Sequence, residues 1–281
     1  MSRLLLCTDL DRTLLPNGAE PESEQARQKF HDFASHGQVT LVYVTGRHRQ
    51  LVEQAIDEYQ LPQPDYVIAD VGSTIYEITG ADWHYQQAWE DMINSDWQGN
   101  SASELNNLLS DIRDLKLQEA SKQNKHKLSY YLALDLDQDQ IISRMKQILE
   151  QQSISSNLIW SIDEQAQLGL LDVLPGSAGK RQAIEFLMQL LDFDYSETVF
   201  AGDSGNDICV MSSPIQSVLV ANASEDVRTL AIQQAQACHQ EHSLYLAQGG
   251  FMGMNGNYSA GILEGVVHFI PQAEPWFRGE T

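Results

Sequence analysis

The sequence predicts an α/β fold, a Rossmann-like core with a parallel sheet that carries an inserted α+β cap domain. Short apolar runs alternate with stretches of helical periodicity in the first third of the chain, and this alternation returns in the last third. Such an order is typical of βαβ units, whose strands lie parallel. Between residues 84 and 169 the order changes to two helix-then-strand units, which predicts a separate layer. Acidic and hydroxyl side chains follow several apolar runs, as at the ligand sites of parallel sheets.

The elements of the first third are defined by apolar runs and by the residues that bound them. Val39–Val44 is a continuous β-rich run, as expected for a strand that is buried on both faces. Ser23 can cap the first helix and Gly37 can end it, while the second helix ends before Pro62. In chain order we expect strand Leu4–Thr8, helix Glu24–His36, strand Val39–Val44, helix Arg49–Gln60, strand Tyr66–Ala69 and a hairpin over Thr74–Ile78.

The middle of the chain predicts the inserted layer, and the last third returns to the parallel sheet. For the layer we expect helix Ser103–Leu115, strand Leu128–Leu134, helix Gln138–Gln151 and strand Asn157–Ile162. Leu168–Leu174 either closes this layer or leads back out of it. For the last third we expect helix Lys180–Leu191, strand Thr198–Ala201, helix Ile208–Met211, strand Val218–Val220 and helices Glu225–Ala235 and Ala260–Phe269. The predicted domains are a catalytic core of residues 1–83 and 170–281 and a cap of residues 84–169.

The composition limits the classes of function. The 281 residues include 39 acidic and 17 basic side chains, a formal net charge of −22 at pH 7. This acidity argues against binding to nucleic acid, which needs a basic footprint, and against adhesion to anionic membranes. The first apolar run is too short for a signal peptide, and no apolar stretch is long enough to span a membrane. The number of cysteines is odd, three in all, which suits a reducing compartment. We therefore expect a cytoplasmic protein, and we expect it to be a monomer.

Asp9 and Asp11 are the first candidate catalytic residues. Both follow the apolar run that ends at Thr8, and a carboxylate there is costly to bury without a partner. Two carboxylates at this spacing can bind a divalent cation through oxygen. One of them could attack phosphorus and form an aspartyl-phosphate, while the other acts first as an acid and then as a base. The alternative interpretation is an Asx-type turn after a strand.

A second acidic segment could complete the metal site. Asp203 and Asp207 lie one helical turn apart, and glycines at 202 and 205 allow the backbone to turn tightly between them. Asp203 lies closer to the strand end and is the better candidate ligand, while Asp207 would bind the metal directly or through a neighbour. Asn206 could donate a hydrogen bond to a phosphate oxygen. The alternative is a surface turn capped by aspartate.

Two further segments could contact phosphate. Thr45 offers a hydroxyl group, and the amides of Gly46 and Arg47 open a helix, where anions bind readily. Lys180 follows a flexible lead-in and could reach phosphate as a fixed positive charge. The alternatives are a common strand-to-helix turn for the first segment and a solvent-facing lysine for the second.

The order of these motifs resembles that of the haloacid dehalogenase (HAD) superfamily of phosphatases. The motifs are Asp9-Leu10-Asp11-Arg12-Thr13, Thr45-Gly46-Arg47, Lys180 and Gly202-Asp203-Ser204-Gly205-Asn206-Asp207. The insertion before Lys180 resembles a C2 cap. Within that group the chain is most similar to sucrose-phosphate phosphatases, over nearly its whole length. The segments that carry this narrower resemblance are 64–68, 124–130, 172–175 and 259–269.

The resemblance implies a Mg²⁺-dependent phosphatase that hydrolyses sucrose 6-phosphate to sucrose and phosphate through an aspartyl-phosphate. By this resemblance Asp9 is the nucleophile and Asp11 the general acid and base. The implied metal ligands are Asp9, Asp11 (with its backbone carbonyl), Asp203 and Asp207. The implied phosphate contacts are Thr45, Gly46, Lys180 and Asn206, and the implied sugar contacts are Lys127, Ser129 and Gln123. For Lys127 and Ser129 the alternative is an exposed strand edge.

The sequence is also compatible with other functions. The chain has Arg12-Thr13-Leu14 where sucrose phosphatases often have Asn-Thr-Trp, and its Gly-rich stretch 249–257, which predicts a loop, is longer than the family norm. Mannosylfructose-phosphate phosphatases share the core pattern, and a broader sugar-phosphate phosphatase is a further alternative. A non-catalytic sugar-phosphate-binding partner of a sucrose-phosphate synthase would be expected to lack the nucleophile or a metal ligand, and all are present here. A synthase is also a candidate partner of an active phosphatase.

Overall fold

A computed structural model describes residues 3–163 and 166–278 of the chain. Its strands in chain order are β1 (Leu4–Thr8), β2 (Val39–Val44), β3 (Tyr66–Ala69), β4 (Thr74–Thr79), β5 (Asp82–Tyr85), β6 (Lys116–Leu117), β7 (Leu128–Leu132), β8 (Ser156–Asp163), β9 (Leu168–Pro175), β10 (Thr198–Gly202), β11 (Gln216–Leu219) and β12 (Leu244–Leu246). Its α-helices are α1 (Ala26–Ala34), α2 (Arg49–Tyr59), α3 (Gln87–Asn94), α4 (Ala102–Leu108), α5 (Gln138–Gln151), α6 (Lys180–Leu190), α7 (Ile208–Met211), α8 (Glu225–Ala237) and α9 (Ser259–Phe269).

The strands of the described residues form two sheets. The larger, which we call the core sheet, has the order β12-β11-β10-β1-β2-β3-β4-β5, and the smaller, the insert sheet, has the order β6-β7-β9-β8. The core sheet is parallel from β12 to β3, and β4 and β5 are antiparallel to their neighbours. The predicted α/β fold with a parallel core is therefore confirmed. The strand order reverses at β1, and ligand crevices of open α/β sheets form at such a point.

Helices cover both faces of the core sheet. Leu4 and Leu6 of β1 pack in the cluster that includes α1, α2 and α9, whereas Leu5 and Cys7 pack in the cluster that includes α3, α6 and α7. Because successive side chains of a strand point to opposite faces, a strand buried on both faces reads as a continuous apolar run. The insert sheet has a third cluster of its own with α4 and α5, to which β7 and β9 contribute.

The chain enters and leaves the inserted layer at neighbouring points. Ser177 donates its amide to Asp96 Oδ2 at 2.7 Å, and Ser155 donates its amide to the Asp96 carbonyl at 2.8 Å. Leu168–Pro175 pairs with both β7 and β8, so this segment closes the insert sheet. The domain division at 84 and 169 stays a prediction, and β5 and β9 run across those two positions.

Several bounds differ from the predicted ones. Ser23 does not cap α1: the helix begins after Gln25, and Ser23 Oγ instead accepts the Asn255 amide at 2.9 Å. Helix α4 ends at Leu108 rather than Leu115, although Leu109 and Ile112 continue its apolar spacing as buried residues of the following turns. The predicted hairpin over Thr74–Ile78 is instead the single strand β4, which forms a hairpin with β5. The elements β5, α3, β6 and β12 were not predicted. No helix in residues 3–163 and 166–278 has the length and apolarity needed to cross a membrane.

Candidate active site

Three buried carboxylates converge at the carboxyl ends of β1 and β10. These neighbouring parallel strands place Asp9 and Asp203 side by side, and the Asp9 amide donates to the Ala201 carbonyl at 2.9 Å. Asp207 lies in the 3-10 turn Gly205–Asp207 that follows β10. One carboxylate oxygen of each aspartate lies within 4.8 Å of the others. The structure therefore brings together three of the four predicted metal ligands.

Lys180 is fully buried between two of these carboxylates. Its Nζ lies 2.7 Å from Asp9 Oδ2 and 2.6 Å from Asp207 Oδ1. Burial alone would lower the pKa of the Lys180 ammonium, but the charges of Asp207 and Asp9 raise it above its ordinary value. The predicted phosphate contact thus lies next to the predicted nucleophile, and because Lys180 is fully buried the solvent-facing alternative is wrong.

The carboxylates carry more negative charge than the protein neutralises. Burial and the nearby Asp207 raise the pKa of Asp9 to about 7, against the lowering effect of Lys180. Burial, with the charges of Asp9 and Asp207, raises the pKa of Asp203 well above its ordinary range, although Arg12 Nε lies 3.6 Å away and Thr13 donates to it at 3.0 Å. A divalent cation would relieve this repulsion, and carboxylate oxygens are the ligands that Mg²⁺ prefers. The donor set therefore fits a magnesium ion.

Asp207 differs from Asp203 in how its oxygens are bonded. Its Oδ1 accepts from Lys180, and its Oδ2 accepts the amides of Asp203 and Ser204, both at 3.1 Å. A Cβ at Gly202 would lie 2.5 Å from Asp207 Oδ2, so a side chain there would displace this carboxylate. Asp207 therefore stabilises the loop in addition to facing the site.

The Asp11 carboxylate lies outside this cluster and is held by Arg47. Arg47 donates through Nε to Asp11 Oδ2 at 2.8 Å and through Nη2 to Oδ1 at 2.6 Å, and Asn17 donates to Oδ1 at 2.8 Å. The Asp11 side chain is 45% exposed. Burial of part of the group would raise the pKa of Asp11, but the hydrogen bonds and charge of Arg47 lower it overall. The predicted use of Asp11 as a metal ligand stays a prediction.

Thr45, Gly46 and Asn206 lie on the loops around the same strand ends. Thr45 follows β2, is fully buried, and accepts the Arg47 amide on its hydroxyl oxygen at 3.1 Å. Gly46 is the next residue in this turn and is partly exposed. Asn206 lies in the turn that also holds Asp207, and its Oδ1 accepts from Ser204 Oγ at 3.1 Å. Their predicted contacts with phosphate remain predictions.

Of the predicted sugar contacts, Lys127 and Ser129 are buried on the insert sheet. Lys127 is 5% exposed, and its Nζ lies 3.9 Å from Asp70 Oδ1. Ser129 donates to Asp172 Oδ1 at 2.5 Å. Ser129 lies in β7, between β6 and β9, and Lys127 directly precedes that strand. Both residues are buried, so the alternative of an exposed strand edge is wrong for both. Leu128, Tyr130 and Leu132 pack inside the insertion, so Ser129 points to the opposite face.

The Gln123 side chain is occupied by backbone groups. Its Oε1 accepts the Ser129 amide at 2.8 Å, and its Nε2 donates to the carbonyls of Ser129 and Gln118 at 3.0 and 3.1 Å. These bonds fix the loop before β7. A sugar contact by Gln123 stays a prediction.

Three residues of this region were not among the predicted site residues. Arg47 holds Asp11, Asp172 holds Ser129, and Asp70 faces Lys127. Asp70 follows a buried strand as Asp9 does, so the rule that selected Asp9 could have found it. Asp172 is a single carboxylate inside an apolar strand, which is also a signal of a buried polar partner.

Comparison with known proteins places these features in a family. The model of the sucrose-6F-phosphate phosphohydrolases matches residues 2–270. A putative HAD-like hydrolase of Nitrosococcus oceani is 52% identical over 276 residues, covering 98% of this chain and 74% of that protein. Sucrose-phosphatase 1 of Nicotiana tabacum is 29% identical over 274 residues, covering 95% of this chain but 59% of its own length. The structure of the sucrose-phosphatase of Synechocystis sp. PCC6803 with sucrose and phosphate is similar with a TM-score of 0.78 at 28% identity, covering 96% of this chain and 98% of that one.

Proposed function

Because this chain belongs to the sucrose-6F-phosphate phosphohydrolase family, we propose that it is a Mg²⁺-dependent phosphatase that releases sucrose and phosphate from sucrose 6-phosphate. Family membership makes it a phosphoric monoester hydrolase of the HAD type. The observation that carries the proposal is the buried group of Asp9, Asp203 and Asp207 with Lys180 between two of them. Such a group can hold both a metal and a phosphate next to a nucleophile.

Asp9 would carry the covalent step. An Asp9 carboxylate oxygen attacks phosphorus while the bond between phosphorus and the sugar oxygen breaks, and the phosphoryl group is left on Asp9. Lys180, which already contacts Asp9 at 2.7 Å, would neutralise negative charge on the phosphate. The Thr45 hydroxyl and the Asn206 amide would donate hydrogen bonds to phosphate oxygens. A water molecule then attacks phosphorus, and the Asp9–phosphorus bond breaks to release phosphate.

Asp11 would handle the protons of both steps. It donates a proton to the departing sugar oxygen, and in the second step it takes a proton from the attacking water. In the structure its carboxylate is held by Arg47 and Asn17, so it must turn from them to reach the leaving group. The lowered pKa keeps the Asp11 carboxyl ionised while it is paired with Arg47, so it holds no proton to donate. Release from Arg47 would raise its pKa and allow it to carry that proton.

The metal site would consist of Asp9, Asp203 and Asp207, with Asp11 as the implied fourth ligand. Bound there, Mg²⁺ would neutralise phosphate oxygens and reduce repulsion between the substrate and the carboxylate nucleophile. Burial and the charges of the neighbouring aspartates raise the pKa values of Asp9 and Asp203, and a cation bound between these carboxylates would favour their ionised forms.

The nucleophile is tested by Asp9→Asn. We expect a loss of at least about 10³-fold in kcat for phosphate release from sucrose 6-phosphate, because the amide cannot form the phosphoryl intermediate. Asp57→Asn, the same change at an exposed position of α2, serves as the matched control and should leave kcat unchanged. Far-ultraviolet circular dichroism checks that both variants are folded. Turnover of Asp9→Asn at the rate of the Asp57→Asn protein would disprove this mechanism.

The sugar is tested by a panel of substrates with Mg²⁺. Sucrose 6-phosphate should have the highest kcat/KM, above mannosylfructose phosphate, trehalose 6-phosphate and glucose 6-phosphate, since buried polar groups that a wrong sugar leaves unpaired reduce its binding. Similar kcat/KM values across the panel would instead identify a broad sugar-phosphate phosphatase. A preference for mannosylfructose phosphate would assign that substrate.

A further inference from the structure

A turn at the end of β3 connects the catalytic loops to the insertion. This turn, residues 70–74, begins with Asp70, which is 6% exposed. The Asp70 amide donates to the Arg47 carbonyl and the Val71 amide donates to the Thr45 carbonyl, each at 3.0 Å. The turn is therefore bonded to the backbone of the segment that carries the predicted phosphate contact Thr45.

The same turn lies directly against the start of α6. A Cβ at Gly72 would lie 2.2 Å from the Gly179 carbonyl carbon and 2.6 Å from the Lys180 amide nitrogen. Two backbones can approach this closely only because residue 72 has no side chain. The position of the turn is thus coupled to that of Lys180, which reaches Asp9 from the first residue of α6.

The backbone of the turn is held in a costly conformation. Asp70, Val71 and Gly72 have φ values of 53°, 61° and 98°. Positive φ is unfavourable for a residue with a side chain and most unfavourable for a β-branched one such as valine. Strained backbone of this kind persists where the surrounding structure fixes it, and it concentrates at functional sites. In this turn the Asp70 carboxylate faces Lys127.

Across the junction, the Asp70 carboxylate faces a buried lysine. Asp70 Oδ1 lies 3.9 Å from Lys127 Nζ, and both side chains are less than a tenth exposed. Thr74 donates to Asp70 Oδ2 at 3.2 Å, and Asn124 of the insertion donates to the Thr74 and Ser73 hydroxyls at 3.4 and 3.3 Å. At 3.9 Å the two charges attract without a direct hydrogen bond, so the Lys127 ammonium keeps donors for another acceptor.

We propose that Asp70 positions Lys127 for a hydroxyl of the sugar and so sets the distance between the phosphate site and the sugar contact. The inference rests on the proposed function. One rigid turn contacts the Thr45 segment, the start of α6 and the ammonium of Lys127, and a substrate must match the spacing that this turn imposes. Asp70 is then a positioning residue that determines specificity for a polyhydroxylated phosphate monoester, and it takes no part in the bond-breaking step.

The test uses Asp70→Asn with two substrates. Sucrose 6-phosphate presents the sugar, whereas p-nitrophenyl phosphate presents a phosphate ester without one. Asn keeps an oxygen for Thr74 but removes the charge that holds Lys127. We expect the ratio of the two kcat/KM values, sugar phosphate over aryl phosphate, to fall about tenfold or more, mainly through KM for the sugar phosphate. Asp70→Glu, which keeps the charge, should recover part of the ratio.

A matched control variant and a double variant complete the test. Asp65→Asn is the same change at the other end of β3, where Asp65 accepts the Leu41 amide, and it should leave the ratio as in the unmodified protein. Lys127→Met should lower the ratio, and Asp70→Asn added to Lys127→Met should lower it no further, because the two residues act as one unit. An Asp70→Asn ratio equal to that of Asp65→Asn, or full additivity of the two changes, would overturn the proposal.

Failure of this proposal is separable from failure of the proposed function. If the unmodified protein hydrolyses p-nitrophenyl phosphate but not the sugar phosphates of the panel, the proposed substrate class is wrong. If it prefers sucrose 6-phosphate and Asp70→Asn keeps that preference, only the role of Asp70 is wrong. If Asp70→Asn fails to fold, Lys127→Met still decides the matter: an unchanged ratio in that variant overturns the proposal.

Discussion

Asp203 and Asp207 are chemically identical residues of one loop, and the structure gives them opposite energetic roles. Asp207 is bonded by Lys180 and by two backbone amides. Asp203 has the Thr13 hydroxyl and a guanidinium at 3.6 Å, while the charges of Asp9 and Asp207 repel it and burial disfavours its ionised form. Without a metal, Asp203 therefore destabilises the folded protein and Asp207 stabilises it.

Asp203→Asn should make the metal-free protein more stable and the enzyme inactive. Removal of a buried, repelled charge should raise the free energy of unfolding in EDTA by about 1 kcal/mol, and loss of the metal ligand should lower kcat by roughly 10³-fold. Mg²⁺ should raise the Tm of the unmodified protein but not that of the variant. Thermal unfolding in EDTA and in Mg²⁺ measures both effects.

Asp207→Asn is the matched comparison for that prediction. It should also abolish the Mg²⁺-dependent rise in Tm, but it should destabilise the metal-free protein, because an amide cannot accept from Lys180 and from the two backbone amides at once. Equal stability changes in the two variants would contradict the distinction drawn from their hydrogen bonds.

At this scale the sequence predicts which residues meet but not how their side chains turn. Asp9 and Asp203 directly follow buried strands, and the parallel sheet brings such positions together. Lys180 opens the helix that precedes β10. Asp11 follows the same strand end, yet its carboxylate faces Arg47. Whether a carboxylate pairs with a cationic side chain or joins the metal site depends on distances that the whole fold sets. The spacing of residues along the chain does not give these distances.

Among the elements, the buried strands were the most predictable. The bounds of β1, β2 and β3 are the predicted ones, because a strand buried on both faces needs an unbroken apolar run. The three-residue β12 lies at the edge of the core sheet and is half-buried, and three apolar residues are too few to indicate a strand. The Gly-rich segment 249–257 is the predicted loop, and the structure adds its anchor: buried Glu264 accepts the Gln248 and Gly249 amides, both at 2.9 Å.

His126 joins the loop before β7 to helix α3, and this contact should make stability depend on pH. Its Nε2 lies 3.1 Å from Asn94 Oδ1, and its amide donates to Asn124 at 2.8 Å. Burial, and then the charge of Lys125, lower the pKa of His126 despite the opposing charge of Glu90. The unfolded chain therefore binds a proton at a higher pH than the folded one does. Stability from this group is complete above the unfolded pKa of about 6.5 and is lost as pH falls below it.

His126→Gln tests this contact. The difference in unfolding free energy between the unmodified protein and His126→Gln should shrink as pH falls from about 7.5 to 5, since only the unmodified protein loses this contribution. Urea denaturation at several pH values measures it. His31→Gln, at an exposed position of α1, is the control and should differ from the unmodified protein by an amount that changes less with pH. A difference that grows for His126→Gln on acidification would reverse the assigned direction of the pKa shift.

For the whole molecule, the insert sheet has an apolar cluster of its own, and its junction with the core combines polar groups with Leu174 of β9, which packs in a cluster of the core sheet. Leu171 and Val173 of β9 pack inside the insertion, whereas Asp172 between them points to the other face with Ser129. The surface of the insert sheet toward the core therefore contains carboxylate, hydroxyl and ammonium groups. An interface of this composition suits the binding of a sugar and the opening and closing of a cap. The cap division, the monomeric state and association with a synthase stay predictions.

This arrangement predicts that the insertion folds when it is separated from the core. Residues 95–178 would form the fragment: its ends meet where Ser177 donates to Asp96 at 2.7 Å, and it has an apolar cluster of its own, although Leu174 and Ala178, which pack in a core cluster, would become exposed. We expect a cooperative urea transition with the helix and strand signal of the insertion in circular dichroism. Leu171→Ala, which removes a fully buried side chain, should lower the stability of the fragment by about 3 kcal/mol. A fragment without a cooperative transition, or one insensitive to Leu171→Ala, would show that the insert sheet requires the core to fold.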